Sequence, residues 1–416
     1  MKVVIASIVL PYPLTSGGAQ GIFSMIEELR HDHDITLLFP QNAGNTLHAM
    51  RQLQCLWPEV DLRPYSYARQ LCHWRFGLDK ARRALHLHLR PNDKHAQIHR
   101  ILDHYGYYMS RDFRRFILQI INEKQPDLFQ AEFYPYLQIA DFLPAGLKRV
   151  FIHHELRVVR NERFLAPYDL TPAERKLQQQ IANEEVEDLN KYDAVVALTD
   201  IDRALLAHQG VKAPIYTSPL PISSQTLTPT LWNGRLLFVG GYDHLPNQEG
   251  MAWFLSQVAP RINSGARQRL TLDLVGRNWD DAWLSNHNSG GIEIRKHGYV
   301  EHLESMAQGS IMVVPILSGS GMRMKILEGA ALGTPIVTTS VGIEGINFPS
   351  PQACLCADAP DAFAQALQRL MLSPELQLNV STEAQRLFMA QYSRHALAAK
   401  RQQVWQHVLS STPSVH

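Results

Sequence analysis

Three charged residues, Arg323, Lys325 and Glu328, follow a glycine-rich turn at residues 319–321 and begin a predicted helix. A short apolar strand, Ile311 to Pro315, precedes the turn. The unpaired N–H groups and the dipole of a helix N-terminus attract anions, and Arg323 and Lys325 add full positive charge. Glu328 supplies a carboxylate that can accept hydrogen bonds from ribose hydroxyls. The stretch alone fits a plain surface βαβ unit, but its mixed charges also suit a nucleotide.

The N-terminal residues predict a second segment of the same kind. Val3 to Val9 is typical of a buried strand, Gly17 and Gly18 follow in a tight turn, and a helix is predicted over Ile22 to Leu29. A second strand is predicted over Ile35 to Phe39. This order of strand, glycine loop, helix and strand begins a doubly wound α/β domain. The loop lacks the G-x-G-x-x-G pattern, so a nicotinamide dehydrogenase is poorly supported.

Length and composition indicate an intracellular protein of two domains. The chain has 416 residues, 45% of them hydrophobic and 19% charged, and its net charge is +1. A chain of this length exceeds one ordinary core, and the charge balance gives no indication of nucleic-acid binding. The four cysteines show no disulfide or zinc spacing, and no apolar run approaches the ~20 residues of a membrane span. These features predict a cytoplasmic protein.

The β–α rhythm occurs twice, which predicts two Rossmann-like domains facing each other across a cleft. The first domain is expected over residues 1–212 and the second over residues 235–390. Between them, residues 213–234 are rich in Pro, Ser and Thr and have the composition of a linker. Residues 391–416 are predicted as a C-terminal helix with Trp405 on one face.

An insertion at residues 63–115 has an unusual composition. Basic residues outnumber acidic ones there, and aromatic residues are interleaved with them. Such a segment could contact an anionic membrane surface, which would make the protein peripheral at the inner face of the membrane. A solvated pair of amphipathic helices fits the same composition.

A series of motifs in the second half of the chain resembles retaining glycosyltransferases of family 4, which have the GT-B fold. The motifs occur in the family's order: Phe238 to Gly241 with Pro246, Asn247 and Gly250, then Leu274 to Gly276, Gly298 to Val300, and Gly319 to Glu328. The last of these resembles the subgroup with the pattern G-x-G-x-R-x-K-x-x-E. The resemblance implies a C-terminal helix that crosses back to the first domain.

The resemblance also implies roles for individual residues. Arg323 and Lys325 would stabilise the charge of the departing diphosphate, and His153 or His154, at the end of a strand in the first domain, would contact the donor sugar. The remaining donor-binding positions would be Gly17, Gly18, Gly240, Gly241, Tyr299, Val300, Gly319, Ser320, Gly321 and Glu328. The family usually has a glutamate where this chain has Ser320, so one carboxylate contact to the donor sugar is lost.

The expected activity is metal-independent transfer of a sugar, with retention, from a nucleotide-diphosphate donor to an acceptor hydroxyl of a glycan or lipid-linked acceptor. No separate cofactor is expected, because the nucleotide sugar is itself a substrate. The product would be a cell-surface polysaccharide or another glycan. Two alternatives stay open: a nucleotide-sugar 2-epimerase on the same fold, and a non-catalytic protein that binds nucleotide sugars.

Overall fold

The computed structural model forms two compact units. Unit 1 comprises residues 1–221 and 397–416, and unit 2 comprises residues 222–396. The structure describes residues 1–14, 16–42, 44–66, 94–102, 109–219, 225–262, 270–287, 290–300, 302–319 and 322–411, without the side chains of residues 96, 100 and 163. Much of the insertion at 63–115 and part of the segment at 213–234 therefore lie outside the described residues.

Unit 1 is built on a parallel sheet in which seven described strands pair in the order β3-β2-β1-β4-β5-β6-β7. The interior strands are apolar because helices cover both faces of a doubly wound sheet. The strands are β1 (Lys2–Ala6), β2 (Asp34–Gln41), β3 (Asp61–Ser66), β4 (Leu128–Glu132), β5 (Lys148–His153), β6 (Ala194–Ala197) and β7 (Ile215–Thr217).

Helices connect the strands of unit 1. They are α1 (Gly17–Leu29), α2 (Leu47–Leu56), α3 (Lys94–Ile101), α4 (Arg111–Lys124), α5 (Arg157–Leu165), α6 (Pro172–Leu189) and α7 (Asp200–His208), with a 3-10 segment at Tyr134–Phe142. The C-terminal helix α15 (Arg394–Ser410) packs on this unit, and the indole of Trp405 donates a 2.9 Å hydrogen bond to Gln130 Oε1. The predicted return of the C-terminal helix to the first domain is therefore confirmed.

Unit 2 has its own parallel sheet, in which six described strands pair in the order β10-β9-β8-β11-β12-β13. They are β8 (Arg235–Val239), β9 (Thr271–Val275), β10 (Glu293–Gly298), β11 (Ser310–Val314), β12 (Ile336–Thr338) and β13 (Leu355–Cys356). The helices are α8 (Leu245–Trp253), α9 (Asp281–Ser285), α10 (Glu304–Ala307), α11 (Met324–Ala331), α12 (Ser340–Ile343), α13 (Pro360–Leu372) and α14 (Pro374–Gln391), with a π turn at Phe254–Val258 and a 3-10 turn at Ala259–Arg261.

Capping residues explain where several helices differ from the sequence prediction. Helix α1 begins at Gly17 because the Ser16 hydroxyl accepts a hydrogen bond from the N–H of Ala19. Helix α8 begins at Leu245, since Pro246 fits the first helical turn. Helix α11 is followed by Gly333, whose φ of +67° is the left-handed conformation of a helix end.

The two predicted doubly wound domains are confirmed, and some segments contain more structure than the sequence indicated. Strand β7 lies inside the segment that was predicted as a linker, where it pairs with β6. The described part of the insertion contains most of strand β3, helix α3 and the first residues of helix α4. Within the described ranges, no helix is both long and apolar enough to span a bilayer, and no group of three or more His, Cys, Asp and Glu residues is arranged to hold a metal ion.

Candidate functional site

The loops that follow β8 and β11 lie side by side in unit 2. These two strands are direct neighbours, and the direction in which successive strands are added to the sheet reverses between them, because β9 and β10 lie on one side and β12 and β13 on the other. Ligands of doubly wound domains bind at the carboxyl ends of the strands beside such a switch point. The topology therefore places the glycine loop and Lys325 at the carboxyl ends of the strands, beside this switch point.

Close packing joins α8 to the loop after β11. A Cβ built on Gly250 would lie 2.2 Å from the carbonyl oxygen of Pro315, so only glycine fits at this position. The Ser318 hydroxyl donates a hydrogen bond to Glu249, one residue earlier on α8. The start of the glycine loop is therefore fixed against a helix rather than free in solvent.

Lys325 connects α11 with the loop after β8. Its Nζ donates a 2.8 Å hydrogen bond to Asn247 Oδ1 and lies 4.3 Å from the centre of the Phe238 ring. Asn247 in turn donates from Nδ2 to the carbonyl oxygen of Gly241 at 2.8 Å. The structure thus brings together Lys325, Gly240 and Gly241, which the sequence placed in separate motifs.

Arg323 lies directly before α11 and turns back onto the glycine loop. Its Nη2 donates to the carbonyl oxygen of Gly319 at 2.8 Å and contacts that of Ser318 at 3.3 Å, and the residue is only 8% exposed. The guanidinium therefore holds the loop by its carbonyl groups. Ser320 and Gly321, the two remaining loop positions, lie outside the described residues.

Burial and neighbouring charges shift the pKa values of this cluster. Burial lowers the pKa of Lys325 to about 7; the positive charge of Arg323 lowers it further and Glu328 opposes the shift. Burial also raises the pKa of Glu328 to about 7, with Lys325 opposing the shift. The pKa of His244, at the start of α8, is lowered by burial and by both cations. These groups therefore form one electrostatic cluster whose charge changes near neutral pH.

The Glu328 carboxylate is half-buried, one helical turn along α11 from Lys325. It forms no hydrogen bond with the described residues, so its oxygens can accept from a ligand. Shifted pKa values of this kind are characteristic of functional sites.

Tyr299 and Val300 follow the edge strand β10 in the same unit. The Tyr299 ring is 45% exposed, and the Arg277 guanidinium lies 4.9 Å from its centre. Gly298 has a φ of +65° and turns the chain at the strand end. An aromatic ring and a cation are thus placed on the β9–β10 side of the glycine loop.

The other predicted site residues belong to unit 1. Gly17 and Gly18 lie in the first turn of α1, where N–H groups have no partner within the helix. His153, the last residue of β5, is fully enclosed: its Nε2 lies 3.0 Å from Glu185 Oε1, and its Nδ1 is buried without a hydrogen bond from the described residues. His153 therefore has no surface through which it could touch a substrate.

His154 differs from His153 in its surroundings. Its side chain keeps 6% exposure, its ring stacks on Phe133, and its Nε2 contacts Glu132 Oε2. The other ring nitrogen, Nδ1, makes no hydrogen bond to the described residues. Of the two histidines, His154 alone combines a fixed ring with a nitrogen that is not enclosed.

Sequence reasoning missed the partners of these groups. Glu132, Glu185 and Phe133 hold the histidines, and His244 adds to the charge cluster in unit 2, yet none of the four was predicted. The available signal for Glu132 was a polar residue at the end of an apolar strand, beside the neighbouring strand that ends in His153. Pairing of β4 with β5 sets Glu132 opposite Ile152, two residues before His154.

Comparison with known proteins gives a family match for part of the chain. Residues 233–373 match the family model described as Glycosyl transferases group 1. A Klebsiella pneumoniae protein described as "Uncharacterized 44.6 kDa protein in cps region" is 27% identical over 141 residues, which are 32% of this chain and 36% of that protein. The chain thus spans well under half of this curated relative's length.

Solved structures resemble the whole chain at low sequence identity. Sucrose-phosphate synthase from Thermosynechococcus elongatus has a TM-score of 0.69 at 14% identity, with 99% of this chain and 100% of that chain covered. Anabaena Alr3699/HepE in complex with UDP has a TM-score of 0.64 at 10% identity, with 98% and 100% covered. The chain therefore has the GT-B fold, and this fold together with the group 1 match of residues 233–373 supports a glycosyltransferase.

Proposed function

We propose that this protein is a retaining glycosyltransferase of family 4 that transfers a sugar from a nucleotide-diphosphate donor to an acceptor hydroxyl. The observation that carries the proposal is the cluster at the ends of β8 and β11, where Lys325 reaches Asn247 and Glu328 follows on the same helix. The cluster lies inside the segment that matches the group 1 model. The Anabaena neighbour was solved with UDP, which supports a nucleotide as the ligand of this fold.

Lys325 is the group that would stabilise the departing diphosphate. Negative charge grows on the leaving phosphate as the sugar–oxygen bond breaks, so a fixed cation stabilises the transition state more than the ground state. Asn247 already fixes the ammonium, so little reorganisation is needed. In the absence of an anion, burial and Arg323 lower the pKa of Lys325 to about 7, and a bound diphosphate would favour the protonated form.

Glu328 would bind the ribose hydroxyls of the donor. An ionised carboxylate accepts two hydrogen bonds, which suits the paired hydroxyls of a ribose. Tyr299 and Val300 would frame the base, and Arg323 would keep the glycine loop in the shape that receives the diphosphate. In unit 1, the first-turn amides at Gly17 and Gly18 and the free nitrogen of His154 would contact the donor or the acceptor.

The proposal also covers the transferred sugar, the acceptor and the cellular location. The transfer would be of a hexose, would need no metal ion because Lys325, Arg323 and helix amides neutralise the diphosphate, and would occur in the cytoplasm or at the inner face of the membrane. The acceptor would be a glycan or a lipid-linked glycan of a cell-surface polysaccharide. The Klebsiella relative is described by its cps region, which supports this setting.

The test is a thermal-shift and turnover screen of the intact protein against nucleoside diphosphates and their sugars. A ligand that binds only the folded state stabilises it by RT ln(1 + [L]/Kd), about 2.7 kcal/mol at a hundredfold excess over Kd. Stabilisation by one donor, with slow hydrolysis or transfer of its sugar, would support the proposal. Release of an epimerised nucleotide sugar, tight donor binding without turnover, or no stabilisation by any donor would each count against it.

A further inference from the structure

Glu132 is the centre of a buried polar cluster in unit 1. It is the last residue of β4 and is 3% exposed. One carboxylate oxygen accepts a 2.5 Å hydrogen bond from Gln130 Nε2, and the other contacts His154 Nε2. Both oxygens of this carboxylate are therefore engaged by side chains.

Phe133 holds the face of the same imidazole. The two rings are nearly parallel, with centres 3.7 Å apart and an interplanar angle of 12°. Phe133 has a φ of +69°, a conformation that is unfavourable for a non-glycine residue. The ring also approaches Gly18, where an added Cβ would lie 3.0 Å from Phe133 Cζ. His154 is thus fixed at its edge by Glu132 and at its face by a strained residue.

The C-terminal helix α15 completes the cluster. Trp405 donates to Gln130 Oε1, which orients the Gln130 amide so that its Nε2 points to Glu132. Arg401, one turn earlier, is 1% exposed, and its Nε and Nη2 make no hydrogen bond to the described residues. Burial lowers the pKa of Arg401, whereas the charge of Glu132 raises it. The C-terminal helix therefore reaches Glu132 through Gln130, whose amide Trp405 orients.

We propose that Glu132 is a positioning residue that fixes His154 with its proton on Nε2, and that Trp405 of the C-terminal helix fixes Glu132 through Gln130. A neutral imidazole has one donor and one acceptor nitrogen. With the proton of Nε2 directed at Glu132, Nδ1 is the acceptor, and it can receive a hydrogen bond from a substrate hydroxyl. The part of this inference that concerns the substrate rests on the proposed function, whereas the tautomer can be measured without it.

The first experiment reads the tautomer of His154 directly. Protein labelled with ¹⁵N in histidine is examined by long-range ¹H–¹⁵N correlation at pH 8, and the signals that disappear in His154→Asn are those of His154. We expect a protonated Nε2 and an unprotonated Nδ1 in the parent protein, and a mixture of tautomers in Glu132→Leu. A proton on Nδ1 with a bare Nε2 in the parent protein would overturn the proposal, whether or not Glu132→Leu folds.

The second experiment separates positioning from general stability. On a donor that the parent protein turns over, we expect Glu132→Leu to lower kcat by about 100-fold, the scale of a misplaced catalytic group, with KM for the donor little changed. Trp405→Phe should lower kcat in the same way but less, because it removes the indole N–H that orients Gln130. Equal losses in kcat and in donor affinity would contradict the proposal.

Val408→Ala is the matched control because Val408 is buried on the same helix without a polar contact. It should lower the melting temperature and leave kcat and the His154 signals unchanged. A loss of kcat in Val408→Ala equal to that of Trp405→Phe would show that helix stability alone explains the effect. If the parent protein turns over no sugar, the proposed function fails while the tautomer measurement still decides the role of Glu132.

Discussion

Lys325 Nζ donates a 2.8 Å hydrogen bond to Asn247 Oδ1, which joins the first turn of α11 to the start of α8. The Asn247 side chain also occupies the space beside Gly240, where an added Cβ would lie 2.6 Å from Asn247 Nδ2. Lys325 is therefore not a flexible surface lysine but an ammonium held by a side chain of α8 over the Phe238 ring of β8.

Asn247→Ala should weaken binding of a nucleoside diphosphate because Lys325 loses the group that holds it. A hydrogen bond to a charged group contributes about 1.5–3 kcal/mol, which is the expected loss in binding free energy. Isothermal titration measures it. Gln248→Ala is the control, since Gln248 also donates to a loop carbonyl, that of Tyr242, but does not contact Lys325. Equal losses in the two variants would show that the loop, not Lys325, is responsible.

Glu328→Ala should weaken nucleotide binding by removing the hydrogen bonds of a carboxylate to the ribose. We expect the binding free energy to weaken by about 1.5–3 kcal/mol. The uncharged variant Glu328→Gln should show a similar loss if the charge of the carboxylate matters more than its shape. The comparison is made with nucleoside diphosphate and with inorganic pyrophosphate, which has no ribose. If Glu328→Ala weakened the binding of pyrophosphate and of nucleoside diphosphate by the same factor, this result would argue against contact with the ribose.

Nucleoside diphosphate affinity should pass through a maximum near pH 7. Glu328 must be ionised to bind the ribose, which requires a pH above its raised pKa of about 7, and Lys325 must be protonated, which requires a pH below its lowered pKa of about 7. Affinity measured from pH 5 to pH 9 should therefore rise and then fall. Lys325→Arg should remove the fall at high pH because an arginine stays charged. A profile that is flat in the parent protein would contradict this assignment.

Arg323→Ala should lower turnover more than it lowers donor affinity. Arg323 holds the carbonyl groups of Ser318 and Gly319, so its loss lets the glycine loop relax in the ground state and removes positive charge when the diphosphate leaves. Steady-state kinetics with direct measurement of donor Kd distinguishes the two effects. An increase in KM with unchanged kcat would mean that Arg323 binds the ground state and the transition state equally.

Trp405→Ala should destabilise unit 1, although the residue is close to the C-terminus. Trp405 is fully buried, and replacing a buried tryptophan with alanine costs about 3–5 kcal/mol. Thermal or urea unfolding followed by circular dichroism measures the loss. Gln406→Ala changes an exposed neighbour on the same helix and should be nearly neutral. Similar stability in both variants would show that the helix contributes little to unit 1.

The architecture of both units is readable from the sequence because buried parallel strands are continuous apolar runs. The core strands β1 and β9 and the short strand β12 all lie where such runs occur. Strand β7 is harder to recognise because it is three residues long, half-buried, and follows a proline in a stretch rich in Ser and Thr. Its strand conformation comes from pairing with β6, which is a tertiary effect.

The sequence predicts which residue types form the candidate site, but it does not predict the contacts between them. Charges and glycine spacing indicated Lys325 and Glu328, yet no sequence pattern shows that Lys325 meets Asn247, 78 positions away. Arg323 illustrates the same limit, since its charge was evident but its attachment to the glycine loop was not. Likewise, the choice between His153 and His154 depends on which ring Glu185 encloses, and Glu185 lies 32 positions further along the chain.

Unit 1 contains two segments that are far apart in the chain, and this affects how it folds during synthesis. A ribosome that has released residues 1–221 has not yet made Trp405 or Arg401, and all of unit 2 must be translated first. During that interval Gln130 and Glu132 lack the helix that later covers them, and the nascent N-terminal sheet exposes a polar and apolar surface to the cell. A stop codon between the end of unit 2 and residue 405 would therefore remove the Trp405 contact from the unit whose sheet was translated first.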